Sequence, residues 1–187
     1  MESDTLIFPL VLAGVPILAL AGIGCLFYCR GKDRRRLAWT AAVFLGALVL
    51  FFGGEILLGF FHLTWRNLPS LVLLGTLLVG GWVGVVLTVA CVILMELPSV
   101  PAAVRWAAKA AVTFFAALVL LVTLWLGPLL FLFAFGDGER TVEYQGQTLV
   151  EVGDGFLDQH YSYYAYHGPL VRGTERLYDT YEPLVYN

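Results

Sequence analysis

Long apolar blocks alternate with short polar connections through the first 135 residues of the chain. Four such blocks run at about 6–29, 37–61, 71–95 and 110–135, and none has more than one ionisable side chain in its interior. A helix needs about 20 apolar residues to cross a bilayer core of about 30 Å. Because a segment in lipid must satisfy its backbone hydrogen bonds internally, the pattern predicts four transmembrane helices.

From residue 136 the pattern changes to that of short strands. Two strand-like runs flank Gln145-Gly146, where the glycine can adopt a positive φ. A two-residue turn there would pair Val142 with Leu149 and Arg140 with Glu151 on one face of a hairpin.

An aromatic run beginning at Phe156 follows the predicted hairpin and suits an extended strand better than a helix. A domain of about 50 residues has little core, so its own side chains cannot cover both faces of such a strand. One face should pack on the hairpin, and the domain should also lean on headgroups, the connection at 62–70, a second copy or a partner. The candidate interaction surface consists of four tyrosines: Tyr161, Tyr163, Tyr164 and Tyr166.

The composition supports this division of the chain. Hydrophobic residues make up 59% of the chain and charged residues 13%, and the mean hydropathy is +0.81. Soluble domains have about 45–50% apolar and about 25% charged residues, so a soluble globular protein is excluded. We predict an all-α membrane domain, a four-transmembrane-helix bundle over 1–135, followed by a small β-rich extracytoplasmic domain over 136–187.

Basic residues in the short connections predict the orientation, since they are retained on the cytoplasmic side. The second connection has Arg66 alone, and the third has Arg105 and Lys109. The first and third connections are therefore expected in the cytoplasm, with both termini outside a plasma membrane. The first connection has five basic residues, which set topology and can contact lipid headgroups: Arg30, Lys32, Arg34, Arg35 and Arg36.

The third connection also holds the residues that should separate two helices. Pro98, Ser99 and Pro101 are expected to end the third helix and start the next. Trp106 and the basic residues of 102–109 favour the headgroup level, so this segment is predicted to lie along the cytoplasmic interface.

Glu55 is the acid inside a predicted span, and an intramembrane carboxyl is a candidate for transport or proton relay. His62 lies seven residues further on, so the two would share a helical face and form a polar path. Alternatively, Glu55 is protonated or hydrogen-bonded to a threonine of another span and fixes packing. The threonines available for this are Thr76, Thr88, Thr113 and Thr123.

Small residues recur at the spacing that lets helices approach closely. Gly80 and Gly84 form a GxxxG pattern, Ala107 and Ala111 repeat it, and Gly53-Gly54 precede Glu55. Packing within the bundle is favoured over a face for homo-oligomers.

Cys25 and Cys29 have the spacing of a ligand pair, but the sequence places no His or further Cys beside them. With Cys91 they are interpreted as small packing residues, so we assign no metal and no cofactor. No nucleotide-binding, zinc-protease or nucleophile-elbow motif occurs, and no enzymatic activity or nucleic-acid binding is expected.

The tail also resembles a known group of proteins. The runs 144–152, Phe156-Leu157 and 163–173 are similar to the extracytoplasmic part of small multi-pass membrane proteins of Gram-positive gut bacteria, a family without a known role. The resemblance implies a bacterial plasma membrane and a folded tail, and it supplies no activity.

Two functions agree with these features. The first is a non-enzymatic membrane protein that binds a protein partner or envelope component through its external tail, since exposed tyrosines offer large contact areas with few rotatable bonds. The alternative is a small transporter or channel subunit that uses Glu55.

Overall fold

The structure, a computed structural model, describes the backbone of residues 4–96, 100–135, 138–154 and 160–184. Within these ranges the side chains of 4–12, 130–135 and 154 are not described. A π-helical turn, Val49–Gly53, joins the second and third helices into one continuous helix. The helices are α1 (Asp4–Tyr28), α2 (Lys32–Leu48), α3 (Gly54–Gly59), α4 (Asn67–Leu94) and α5 (Ala102–Phe135).

Three stretches of helix are long and apolar enough to cross a membrane, namely Lys32–Gly59, Asn67–Leu94 and Ala102–Leu129. They confirm the helices predicted for the second, third and fourth apolar blocks. The first block is also helical, and its described apolar part is the shorter helix Ala13–Tyr28.

Two helices begin before their apolar blocks, because charged residues with long side chains are themselves good helix formers. α2 begins at Lys32, so most of the predicted basic connection is helical and the chain reverses at Gly31, which has a φ of +72°. α5 begins directly after Pro101 and is one helix of 34 residues that continues through Pro128. The segment expected along the membrane surface is thus the start of α5, while Pro98 and Ser99 lie outside the described residues.

The chain forms two compact units. The helical unit consists of Met1–Gly46 and Thr76–Pro128, and the sheet unit consists of Ala47–Gly75 and Leu129–Asn187. The sheet unit therefore combines the second predicted connection with the C-terminal tail.

Glycines bring two helices of the helical unit together. A Cβ on Gly80 would lie 3.7 Å from Phe44 Cβ, and one on Gly84 would lie 3.8 Å from Thr40 Cγ2. The GxxxG pattern of α4 therefore packs on α2, which confirms packing within the bundle. Ala107 and Ala111, with the same spacing, are exposed.

The sheet unit contains a five-stranded antiparallel sheet in the order β1-β5-β4-β3-β2. The strands are β1 (Leu63–Trp65), β2 (Glu139–Tyr144), β3 (Gln147–Asp154), β4 (His160–Tyr166) and β5 (Val171–Thr180). The strand predicted for the tyrosine run is confirmed as β4, whereas the start of that run at Phe156 lies outside the described residues.

The predicted hairpin is confirmed in its register. Val142 pairs with Leu149 and Arg140 with Glu151, across a two-residue turn at Gln145-Gly146. Both turn residues have positive φ, 51° and 77°, which is the type I′ geometry that matches strand twist.

Two strands of the sheet were not predicted. β1 has three residues, too few for an alternating pattern to show, and it pairs with Val171–Gly173 of β5. β5 has charged residues at 175, 176 and 179 that weaken its strand signal. The connection at 62–70, one of the supports expected for the tail, thus contributes a strand to its sheet.

One core of the sheet lies on the face predicted from the hairpin register, while Val150 and Ser162, both 0% exposed, are buried on the opposite face. Val142, Leu149 and Tyr163 are buried together, and Tyr163 is 0% exposed. Leu184, beyond the last strand, packs against this cluster. The sheet therefore closes a small core of its own.

Candidate functional site

Arg66, in the connection before α4, forms an ion pair with Glu139 at the start of β2. Arg66 Nε lies 2.5 Å from Glu139 Oε1, and the two side chains are 14% and 5% exposed. The guanidinium also donates to Thr141 Oγ1 at 3.2 Å and to the Gly168 carbonyl at 3.5 Å. This ion pair fastens β2 to the connection.

Glu139 also caps α4. Its Oε2 accepts a hydrogen bond at 2.6 Å from the backbone N–H of Asn67, the first residue of that helix. The first N–H groups of a helix lack partners within it and lie at its positive end, so a carboxylate there is favourable. The sequence gives no sign of this role because Glu139 lies 72 residues from the helix start. In the sequence, only the isolated charge of Arg66 in the second connection indicates that an acidic partner is needed.

Trp65 of β1 packs against α3 at Gly54. A Cβ on Gly54 would lie 2.5 Å from Trp65 Cζ2 and 3.0 Å from Cε2, so the indole requires glycine there. The close approach predicted for Gly53-Gly54 was one between helices, whereas the structure places an indole ring at Gly54. A Cβ on Gly53 would meet only Val49 Cγ1, at 3.9 Å.

Glu55 is held by the same small strand. Thr64 Oγ1 lies 3.2 Å from Glu55 Oε1 and 3.3 Å from Oε2, close enough to donate its proton to either oxygen. The expected partners were threonines of other spans, whereas the observed partner is a threonine of β1. Glu55 is half-buried and directly follows the π-helical turn.

His62 does not continue the helical face of Glu55, because α3 ends at Gly59. His62 lies in the following turn with a φ of 55°, and its carbonyl accepts hydrogen bonds from the backbone N–H and the Oγ1 of Thr174. The predicted shared face is therefore wrong. No hydrogen bond or ion pair joins the two side chains among the residues described.

A buried network lies within the core face of the sheet. Arg140 donates to both carboxylate oxygens of Glu151, at 2.5 Å and 3.1 Å, and Tyr163 donates to Glu151 Oε2 at 2.8 Å. The Leu184 backbone N–H donates to the Tyr163 hydroxyl at 2.8 Å. Burial raises the pKa of Tyr163, and the hydrogen bond to Glu151 raises it further. The bond to Glu151 likewise raises the pKa of Arg140.

The four tyrosines predicted as an interaction surface divide between the two faces of β4. Tyr163 is buried in the core and Tyr161 packs at its edge. Tyr164 is half-buried, with the Arg172 guanidinium carbon 4.2 Å from its ring centre. Tyr166 is 36% exposed and lies beside Arg66.

A second group of exposed apolar side chains lies on β5 and the bend after it. Leu177, Tyr178 and Tyr181 are 45%, 38% and 76% exposed. The Tyr178 ring contacts Tyr144, and Tyr181 contacts the ring of His160. The sequence does not single out these residues, because the charged residues of β5 weaken its strand pattern. We call Leu177, Tyr178 and Tyr181 the β5 surface.

The helices of the helical unit line a cavity of about 550 Å³ that is partly open to the outside. Its lining is almost wholly apolar, with polar groups at Thr40, Thr88, Thr123 and Trp82. No ionisable side chain is among the described residues that line it.

Cysteines of two helices converge in the helical unit. The Sγ atoms of Cys25, Cys29 and Cys91 all lie within 4.8 Å of one another. The sequence placed no third cysteine beside the pair on α1, and the packing of α4 supplies one.

No protein family, curated protein or solved structure matches the chain in comparisons by sequence and fold. The resemblance of the tail to membrane proteins of gut bacteria therefore stays a prediction.

Proposed function

We propose that this chain is a non-enzymatic, four-span protein of a bacterial plasma membrane whose sheet unit, outside the cytoplasm, binds a protein partner. Three helices that can cross a membrane support insertion, and the apolar first block supplies the fourth span. The basic residues between α1 and α2 support an external sheet.

The observation that carries the binding role is the β5 surface. The sheet already has a core around Tyr163, with Tyr178 against Tyr144 at its edge, so the fold does not require the more exposed Leu177 and Tyr181 to be apolar. Exposed tyrosines are enriched at the centre of protein interfaces. Arg176 and Asp179, an exposed ion pair of 2.7 Å, provide polar groups around this surface.

Site-specific photocrosslinking in intact cells tests the proposal. A photoreactive amino acid at position 177, 178 or 181 should give one discrete adduct with an extracytoplasmic protein. Positions 143 and 148, exposed on β2 and β3, are matched controls and should give none.

A double substitution, Leu177→Ser with Tyr181→Ser, should abolish the adduct from position 178 and leave the tail resistant to protease, because both side chains are exposed. Equal crosslinking from all five positions, or none from the β5 surface, would refute the proposal. An adduct only with this chain itself would make the partner a second copy.

The π-helical turn before Glu55 is the observation that favours the transporter alternative, because π-bulges are frequent at functional sites. The hydrogen bond from Thr64 favours a packing role for Glu55 instead. A proton-dependent uptake or current that Glu55→Gln abolishes, at unchanged abundance, would favour the alternative.

A further inference from the structure

We propose that Cys25, Cys29 and Cys91 form a binding site for a single Cu(I) ion in the helical unit. Their Sγ atoms lie within 4.8 Å of one another. Metal–sulfur bonds of about 2.3 Å require sulfurs roughly 4 Å apart, so the three can reach one ion with side-chain shifts of less than about 1 Å.

The convergence uses every thiol of the chain. The sequence has three cysteines and two methionines, and Met95 packs against the same buried cluster. Met1 is the remaining sulfur-containing residue of the sequence. The cluster thus concentrates soft ligands in one place.

Regular helix geometry fixes these ligands. The Cys29 N–H donates to the Cys25 carbonyl at 2.8 Å, and the Met95 N–H donates to the Cys91 carbonyl at 2.9 Å. Residues four apart lie on one face of a helix, so each helix end presents two sulfurs on the same side. Leu37, 4% exposed, belongs to the same buried cluster.

The ligand chemistry selects the ion. Thiolate and thioether ligands are soft and suit Cu(I), whereas Zn(II) takes four ligands and in proteins uses Cys, His and carboxylate. The cluster has no His, Asp or Glu among the described residues. Protons leave the thiols as copper–sulfur bonds form, and the copper keeps its oxidation state.

The position agrees with a reduced ion. The cysteines lie near the C-terminal ends of α1 and α4, and Arg30 of the basic connection directly follows Cys29. With the orientation of the proposed function, this end faces the cytoplasm, where thiols stay reduced. Copper binding in detergent does not depend on that orientation, so the two proposals can fail separately.

The test uses the full chain, purified in mild detergent without oxygen and titrated with Cu(I) against a Cu(I)-selective chelator. We expect one Cu(I) per chain and the ultraviolet band of copper–thiolate bonds. Cys25→Ser, Cys29→Ser and Cys91→Ser should each weaken binding by more than the roughly 10–100-fold that loss of an outer-shell partner costs.

Ala90→Ser is the matched control, since it adds a hydroxyl to the exposed neighbour of Cys91 and should leave Cu(I) binding unchanged. Zn(II) should bind more weakly than Cu(I). The Cu(I) titration of the unaltered chain tests the proposal even if the cysteine variants fold poorly. Loss of all copper to the chelator, equal copper in the triple serine variant, or tighter binding of Zn(II) would each overturn the proposal.

Discussion

Some side chains of the sheet unit form hydrogen bonds with more than one partner. Tyr163 illustrates this, because its hydroxyl donates to Glu151 and accepts from the Leu184 N–H. A buried polar group that loses its partner costs about 1–3 kcal/mol. Stability at the residue scale therefore depends on a few interior hydrogen bonds.

Tyr163→Phe should lower the free energy of unfolding of the sheet by about 1–3 kcal/mol. It should also remove a pH dependence. The raised pKa means that the protonated phenol stabilises the fold below the ordinary value of 10.0, and this contribution is lost as the pH rises through the folded value. Protease resistance of the tail between neutral and alkaline pH measures both effects.

Tyr166→Phe is the control for that experiment, because Tyr166 lies at the exposed end of β4. It should keep the stability and the alkaline loss of the unaltered chain. If Tyr163→Phe has the same alkaline profile as Tyr166→Phe, the interior phenol does not govern the pH dependence.

Glu55→Gln should leave membrane insertion and abundance near normal, because an amide oxygen can still accept the proton of Thr64 Oγ1. Glu55→Lys removes that acceptor and adds a fixed charge. Its cost should lie below the roughly 2.5–3.5 kcal/mol of a lysine at mid-helix, since α3 ends four residues later. Quantitative blotting of membrane fractions compares the two variants, and equal abundance of both would contradict this account.

At the scale of elements, a three-residue strand connects a helix to the sheet. β1 pairs with β5, while its Trp65 packs on Gly54 and its Thr64 bonds Glu55 of α3. Such a short strand has few hydrogen bonds of its own. Its position therefore depends on these side-chain contacts.

Gly54→Ala should displace Trp65, because the added Cβ would lie 2.5 Å from Cζ2. Gly53→Ala is a matched control on the same helix, with its nearest contact at 3.9 Å, and should be neutral or stabilising since alanine favours helix. Tryptophan fluorescence and tail proteolysis should change only in the first variant. Equal behaviour of the two variants would show that the indole is not confined there.

Glu139→Ala should detach β2 from the connection before α4. It leaves the mostly buried Arg66 without its carboxylate and uncaps Asn67, and breaking a buried pair costs up to about 3–5 kcal/mol. Asp179→Ala, which removes an exposed partner of Arg176 and His160, should leave the first turn of α4 unchanged. Hydrogen exchange of the first turn of α4 reports the difference, and unchanged protection in Glu139→Ala would refute the capping role.

At the scale of the whole molecule, the charge distribution predicts the orientation. Five basic residues lie at 30–36, against one between α3 and α4. Positively charged connections stay on the cytoplasmic side, so the sheet unit should lie outside.

Cysteine labelling in intact cells tests this orientation, after the three native cysteines are changed to serine. An impermeant reagent should label Thr148→Cys, which is exposed on β3, and should leave Asp33→Cys unlabelled until the cells are opened. The reverse pattern would invert the topology. Labelling at both positions would place the first connection outside as well.

The sequence alone determined the features that depend on local pattern. Apolar length predicted the helices, and the Gln145-Gly146 turn fixed the hairpin register, because side chains alternate with a period of two and a slip would turn Leu149 away from the core. It also identified Glu55 as an acid within an apolar block. Each of these signals lies within a few neighbouring residues.

The tertiary structure alone decided which distant residues meet. Arg66 pairs with Glu139, and Thr64 donates a hydrogen bond to Glu55. Tyr163 is buried, and Cys91 lies beside Cys25 and Cys29. These contacts join positions 9 to 73 residues apart, or different helices, and no local periodicity encodes them. The physical reason is that a three-residue strand and a helix crossing acquire their positions only when the rest of the chain packs around them.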